Sequence, residues 1–160
     1  MIVPRTERAN SPPRIVVGLG VFGVAPFAAL TAMAWIADKD TASAAIFAVA
    51  AYGAVILSFV GGAHWGFASL RMGYQPDVSS QLLLLSVVPS LVGWAALLLP
   101  APWSLAVLGM AFAALLFLDR WSAARSLAPG WWLRLRAPLS ATVSTLLFVA
   151  FAAALLRFAS

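Results

Sequence analysis

Apolar residues in this chain run in long unbroken blocks, and the polar and charged residues collect in the short gaps between them. The blocks fall at about 15–37, 43–70, 80–99, 103–118 and 138–158. Each approaches or exceeds what a helix needs to cross a hydrocarbon core about 30 Å thick at 1.5 Å per residue. Inside lipid every backbone N–H and C=O must be paired within the protein, so only helices and closed barrels can span it. The runs lack the apolar/polar alternation of a barrel strand. The pattern therefore predicts an all-α integral membrane bundle of five transmembrane helices. These form a single domain over 14–160, preceded by a flexible arm over 1–13.

The gaps place the turns. Arg5, Glu7, Arg8 and Asn10 lie in the arm with no periodicity. The basic residues before the first block resemble the start of a signal peptide, but the block outruns a signal core of about 7–15 residues and reads as a retained helix. Asp38-Lys39-Asp40 predicts a tight turn with Thr41 capping the second helix. Arg71 to Ser79 reads as a loop, Pro89 as a kink or local adjustment, and Pro100-Ala101-Pro102 as a sharp break. The fourth span is expected to be short and to end at Asp119-Arg120, and the fifth to open after Pro138.

Composition agrees: 63% of residues are hydrophobic and only 9% charged, against about 25% charged in soluble domains. The net charge of +5 would suggest nucleic acid in a soluble protein. In a membrane protein, excess Arg marks cytoplasmic loops and contact with anionic lipid. With five crossings, Arg5, Arg8, Arg14, Arg71, Arg120, Arg125, Arg134 and Arg136 share one side, and only Lys39 and Arg157 lie opposite. This predicts a cytoplasmic N-terminus, a periplasmic C-terminus and a bacterial inner membrane, with the lipid bilayer rather than nucleic acid as partner. Trp35 and Trp103 fall near the outer boundary, and Trp121, Trp131 and Trp132 in the cytoplasmic loop, levels that suit a half-wet indole. The chain has no Cys, which removes disulfides and thiolate chemistry together.

Candidate chemistry concentrates in the second helix. Ala50, Ala54, Ser58, Gly62 and Gly66 recur every four residues as a ridge of small side chains against which another backbone can pack. His64 is the sole histidine and should face protein, water or a bound group, because polar groups in lipid are costly. Arg71 lies about two turns on, on nearly the same face, so His64, Ser58 and Arg71 form the candidate intramembrane polar site. A second cluster is cytoplasmic: Asp119, Arg120, Arg125, Arg134 and Arg136, interleaved with Trp. It is suited to anionic lipid headgroups, with Asp119 able to pair with Arg71 or with an Arg of the last loop. No metal site or cofactor is predicted.

The run from Tyr52 to Gly66, Tyr-Gly-Ala-Val-Ile-Leu-Ser-Phe-Val-Gly-Gly-Ala-His-Trp-Gly, resembles the signature of domain of unknown function 3429, the transmembrane protein 69-like family. Val88 to Trp94, Phe117 to Arg120 and Trp131 to Ser140 resemble further stretches of it in order. The resemblance implies a small multi-pass inner-membrane protein with bacterial and mitochondrial relatives, and it carries no activity over. With no catalytic constellation in the sequence, the leading expectation is a non-catalytic accessory or assembly subunit, associated with a membrane-complex partner or a second copy. The alternatives are a small transporter or channel for a proton, ion or small solute built on His64, and anionic lipid handling at the cytoplasmic face.

Overall fold

The computed structural model describes residues 11–158. Its regular structure is wholly helical: α1 (Arg14–Ile36), α2 (Lys39–Arg71), α3 (Pro76–Leu97), α4 (Ala101–Ala124) and α5 (Trp132–Phe158). All five are long and apolar enough to cross a membrane. The expected arm over 1–13 lies almost entirely outside the described residues, Arg5 and Arg8 included.

Local chemistry explains most of the boundaries. The second helix is capped by Asp38 rather than Thr41: the Asp38 carboxylate accepts from the backbone N–H of Asp40 at 3.1 Å and of Thr41 at 3.0 Å. These bonds, that of Thr41 foremost, hold the Asp38 carboxyl below the ordinary carboxylate range. A lowered carboxyl pKa stabilises the fold above the unfolded value, so the cap is complete there and is lost as pH falls through the folded value. Helix α3 opens on Pro76 and α4 follows Pro100, where a missing N–H costs nothing. Three further expectations need correction. The loop read over Arg71 to Ser79 ends at residue 75, because Pro76 to Ser79 form the first turn of α3. Helix α4 does not stop at Asp119-Arg120 but continues to Ala124, because Asp119 is buried and partnered rather than marking an exit to water. Helix α5 starts at Trp132, before Pro138. Pro138 sits within it on an exposed face.

Helix α2 is the axis of the bundle and touches all four others. Phe27, Ile46, Leu57, Leu108, Phe112 and Leu147 are fully buried at the centre, with Phe27 edge-on to Phe112 at 6.1 Å. Side-chain donors tie neighbouring helices through backbone carbonyls. Tyr52 Oη donates to Gly23 O at 3.1 Å, Trp35 Nε1 to Val149 O at 3.2 Å, and Ser144 Oγ to Gly109 O. The Arg157 guanidinium donates to Ala34 O at 2.7 Å and Ala37 O at 2.6 Å, and so closes the carbonyl end of α1, where a cation is favoured.

The small-residue ridge of α2 divides. Ala50 and Ala54 are buried, Ser58 is half-buried with its Oγ 2.9 Å from Ser90 Oγ of α3, and Gly62 and Gly66 are exposed. A spacing of four advances about 40° per step beyond a full turn of 3.6 residues, so over four steps the ridge winds out of the interface. Close approach instead uses Gly61 and, from α3, Gly93, where an added Cβ would meet Ser86 O at 2.8 Å and Ala54 O at 3.2 Å. Gly61→Ala is expected to cost about 1–3 kcal/mol as overpacking against a backbone that cannot yield. Gly62→Ala, with nothing within 4 Å of its Cβ, should be neutral or stabilising by up to about 1 kcal/mol through helix propensity. Denaturant unfolding of the two variants in detergent checks the contrast.

A buried charged centre as candidate functional site

Three helices bring ionisable side chains to one point inside the bundle. Helix α2 supplies His64, α4 supplies Asp119, and α5 supplies Trp132 and Arg136, one turn apart on one face. His64 and Asp119 are fully buried, Arg136 is 6% exposed and Trp132 is 9% exposed.

Asp119 is the hub. Its Oδ1 accepts from Trp132 Nε1 at 2.5 Å and lies 3.1 Å from His64 Nε2, while Oδ2 lies 3.6 Å from Arg136 Nε. Ser122 Oγ donates to the Asp119 carbonyl at 3.0 Å. His64 Nδ1 lies 3.1 Å from Val60 O, one turn back on its own helix. Aromatic rings wall the site: Trp132 stands edge-on to His64 at 6.0 Å and to Phe67 at 4.9 Å.

Nδ1 faces a carbonyl and Nε2 a carboxylate oxygen, so a proton on either nitrogen meets an acceptor. With protons on both sides the His64–Asp119 pair sums to zero and a protonated Arg136 leaves one net positive charge; with a single imidazole proton the three groups sum to zero. The His64–Asp119 contact is short but not aligned as a hydrogen bond, and His64 Nε2, Asp119 Oδ2, Arg136 Nε and Arg136 Nη2 have no hydrogen-bond partner among the described residues. Asp119 therefore holds Arg136 electrostatically at 3.6 Å without saturating its donors.

Arg136 also borders a cleft. A cavity of about 270 Å³ runs between α1, α2 and α5, walled by Gly20, Gly23, Val60, Leu139 and Val143, with Trp132 and Arg136 at one end. Its lining is otherwise apolar. Among the described residues no three His, Cys, Asp or Glu side chains stand together to hold a metal ion.

The structure joins some of the residues singled out from the sequence and separates others. His64, Asp119 and Arg136 come together. Arg71 is exposed in the last turn of α2, and Ser58 turns to Ser90. Arg120, Arg125 and Arg134 are exposed at the end of the bundle that also carries Arg14 and Arg71, and the Arg125 guanidinium lies 4.3 Å from the Trp121 ring centre. Trp132 is the member that sequence reasoning treated as an interfacial anchor. Its signal was its place one turn before Arg136 on a continuous helix, which the assumed start after Pro138 concealed.

Five long apolar helices closed around an ionised polar core define a polytopic helical membrane protein with a buried charged site. The chain belongs to the family described as Protein of unknown function (DUF3429), which matches residues 12–152 and so includes all four members of the centre. It is similar to Transmembrane protein 69 of Xenopus tropicalis, 39% identical over 87 residues, a stretch that covers 54% of this chain and 33% of that protein. The chain thus matches about one third of that relative's length. No solved structure matches it.

Proposed function

We propose that this protein is a non-catalytic membrane protein that binds an anion at the His64–Asp119–Arg136 centre. The observation that carries the reading is the buried Arg136 guanidinium, whose Nε and Nη2 lack partners while it lines a cleft. Asp119 gives Arg136 an ion pair at 3.6 Å but no hydrogen bond, and an anion at Arg136 would engage the idle donors in charge-assisted hydrogen bonds. Intramembrane ionisable residues commonly mark ligand or ion pathways. An accessory or assembly role, expected from the sequence, needs no such centre.

The exposed Arg14, Arg71, Arg120, Arg125 and Arg134 gather at one end, with Lys39 and Arg157 at the other. By the positive-inside rule the reading places the Arg-rich end in the cytoplasm of a bacterial inner membrane, the N-terminus on that side and the C-terminus on the periplasmic side. Anionic lipid headgroups would then lie near the Arg136 end of the cleft.

Acetate, inorganic phosphate and laurate, each titrated against the protein in neutral detergent, test the reading by thermal unfolding. At least one should raise the unfolding temperature of the wild type saturably, by the equivalent of about 2.7 kcal/mol at a hundredfold excess over Kd. Arg136→Met keeps the apolar stem but removes one partner of the Asp119 ion pair, so it should start from a lower unfolding temperature and should show no rise. If none of the three anions raises the wild type more than the variant, the centre is not an anion site.

A further inference from the structure

The cleft above Arg136 has a shape and polarity that select among anions, and this inference rests on the anion-binding reading just given. We infer that its occupant is a single-chain amphiphile with a monovalent acidic head, of which a long-chain fatty acid is the simplest case, entering sideways from the bilayer.

Four observations converge. The head site is a single guanidinium, 6% exposed, whose Nε and Nη2 lack hydrogen-bond partners, which matches the two oxygens of one carboxylate. The rest of the lining is apolar and follows α1 from Val16 to Phe27, about 16 Å at 1.5 Å per residue, so a chain rather than a compact ion fills it. The volume of about 270 Å³ is at the small end of ligand sites, which run from about 300 Å³ upward, and suits one chain rather than two. Leu19 and Phe59, which line the cleft, are 66% and 74% exposed on the outer face of the bundle, so the mouth opens toward lipid. The polarity is consistent along the length: Arg136 lies within two turns of the start of α5, near the bundle end that bears the exposed Arg residues, and Phe27 and Phe112 close the apolar end.

The cleft is open beside α1 at Gly23, whereas at Gly20 the Leu139 side chain already fills the space, 2.7 Å from where a Cβ would stand. At Gly23 an added Cβ meets nothing within 4 Å, and the backbone carbonyl that accepts from Tyr52 is kept on substitution. Gly23→Leu therefore fills the cleft without disturbing the helix contacts, and Gly62→Leu, on an open outward-facing position, is the matched control.

The experiment is equilibrium binding of a dansyl-labelled undecanoic acid to purified protein in neutral detergent. Laurate, dodecanol, acetate and a two-chain phosphatidylglycerol serve as competitors. The wild type should bind one probe per chain. Gly23→Leu should weaken binding about tenfold or more, Gly62→Leu should leave it unchanged, and Arg136→Met should weaken it roughly 30-fold or more. Laurate should displace the probe, while dodecanol and phosphatidylglycerol compete poorly. Binding unaffected by Gly23→Leu, or displacement by acetate as readily as by laurate, would overturn the single-chain assignment and leave the anion reading standing. Equal displacement by dodecanol would remove the acidic head from the assignment. Displacement by phosphatidylglycerol at parity would assign the cleft to bilayer phospholipid instead. No anion-dependent, Arg136-dependent response in either experiment would remove both proposals.

Discussion

Asp119→Leu is expected to destabilise the protein by about 3–5 kcal/mol, the cost of breaking a buried charged cluster by removing one partner. The carboxylate serves three neighbours at once: Trp132 Nε1 at 2.5 Å, His64 Nε2 at 3.1 Å and Arg136 Nε at 3.6 Å. A leucine, larger and apolar, leaves an indole N–H, an imidazole nitrogen and a guanidinium in apolar surroundings with nothing to face. Asp119→Asn should recover much of the loss. Its carbonyl can accept from Trp132 and its NH₂ can donate to Nε2, so the Arg136 attraction is the main term given up. Denaturant unfolding in detergent measures both. A leucine variant as stable as the asparagine variant would mean that the cluster contributes volume and not charge.

The second large effect is at Trp132. Trp132→Phe retains the aromatic wall against His64 and Phe67 but deletes the donor to Asp119 Oδ1. Hydrogen bonds to charged groups are worth about 1.5–3 kcal/mol, and the loss should fall in that range by the same unfolding assay. Because Trp132 is 9% exposed and anchors the start of α5, its loss should also loosen the first turns of that helix, read as faster amide exchange around Leu135 and Arg136. Unchanged stability would show that the indole packs on the centre without holding it.

Five spans were legible from unbroken apolar blocks because backbone pairing in lipid leaves the chain little choice. The ends of α4 and α5 were not. Asp119, Arg120 and Pro138 each read as punctuation in the sequence, a fair rule for solvated termini. Burial of Asp119 against partners 55 residues upstream and 13 and 17 residues downstream reverses that rule, and nothing local announces it. His64 and Asp119 each stood out as costly intramembrane or near-membrane polar groups, but their pairing depends on how α2, α4 and α5 pack. Arg71 fell on the predicted face of α2 yet lies about 10 Å farther along the axis at 1.5 Å per residue, in the exposed last turn. The four-residue ridge suffered from the same geometry in another form, since a spacing of four drifts around a helix of 3.6 residues per turn. The cleft was invisible in the sequence, because Gly23 opens onto a cavity only when α5 and α2 supply the other walls.

Anion binding at this centre requires the His64–Asp119 pair to hold one shared proton in addition to the one on Nδ1, so that the three groups keep one net positive charge. His64 is the only histidine in the chain, so ¹⁵N-histidine labelling and NMR of the purified protein report its two ring nitrogens without overlap. Neither nitrogen should then show an unbonded lone pair: Nδ1 is protonated, and Nε2 is either protonated or hydrogen-bonded to a protonated Asp119. A bare, unbonded nitrogen at either position would make the cluster neutral and contradict the anion site.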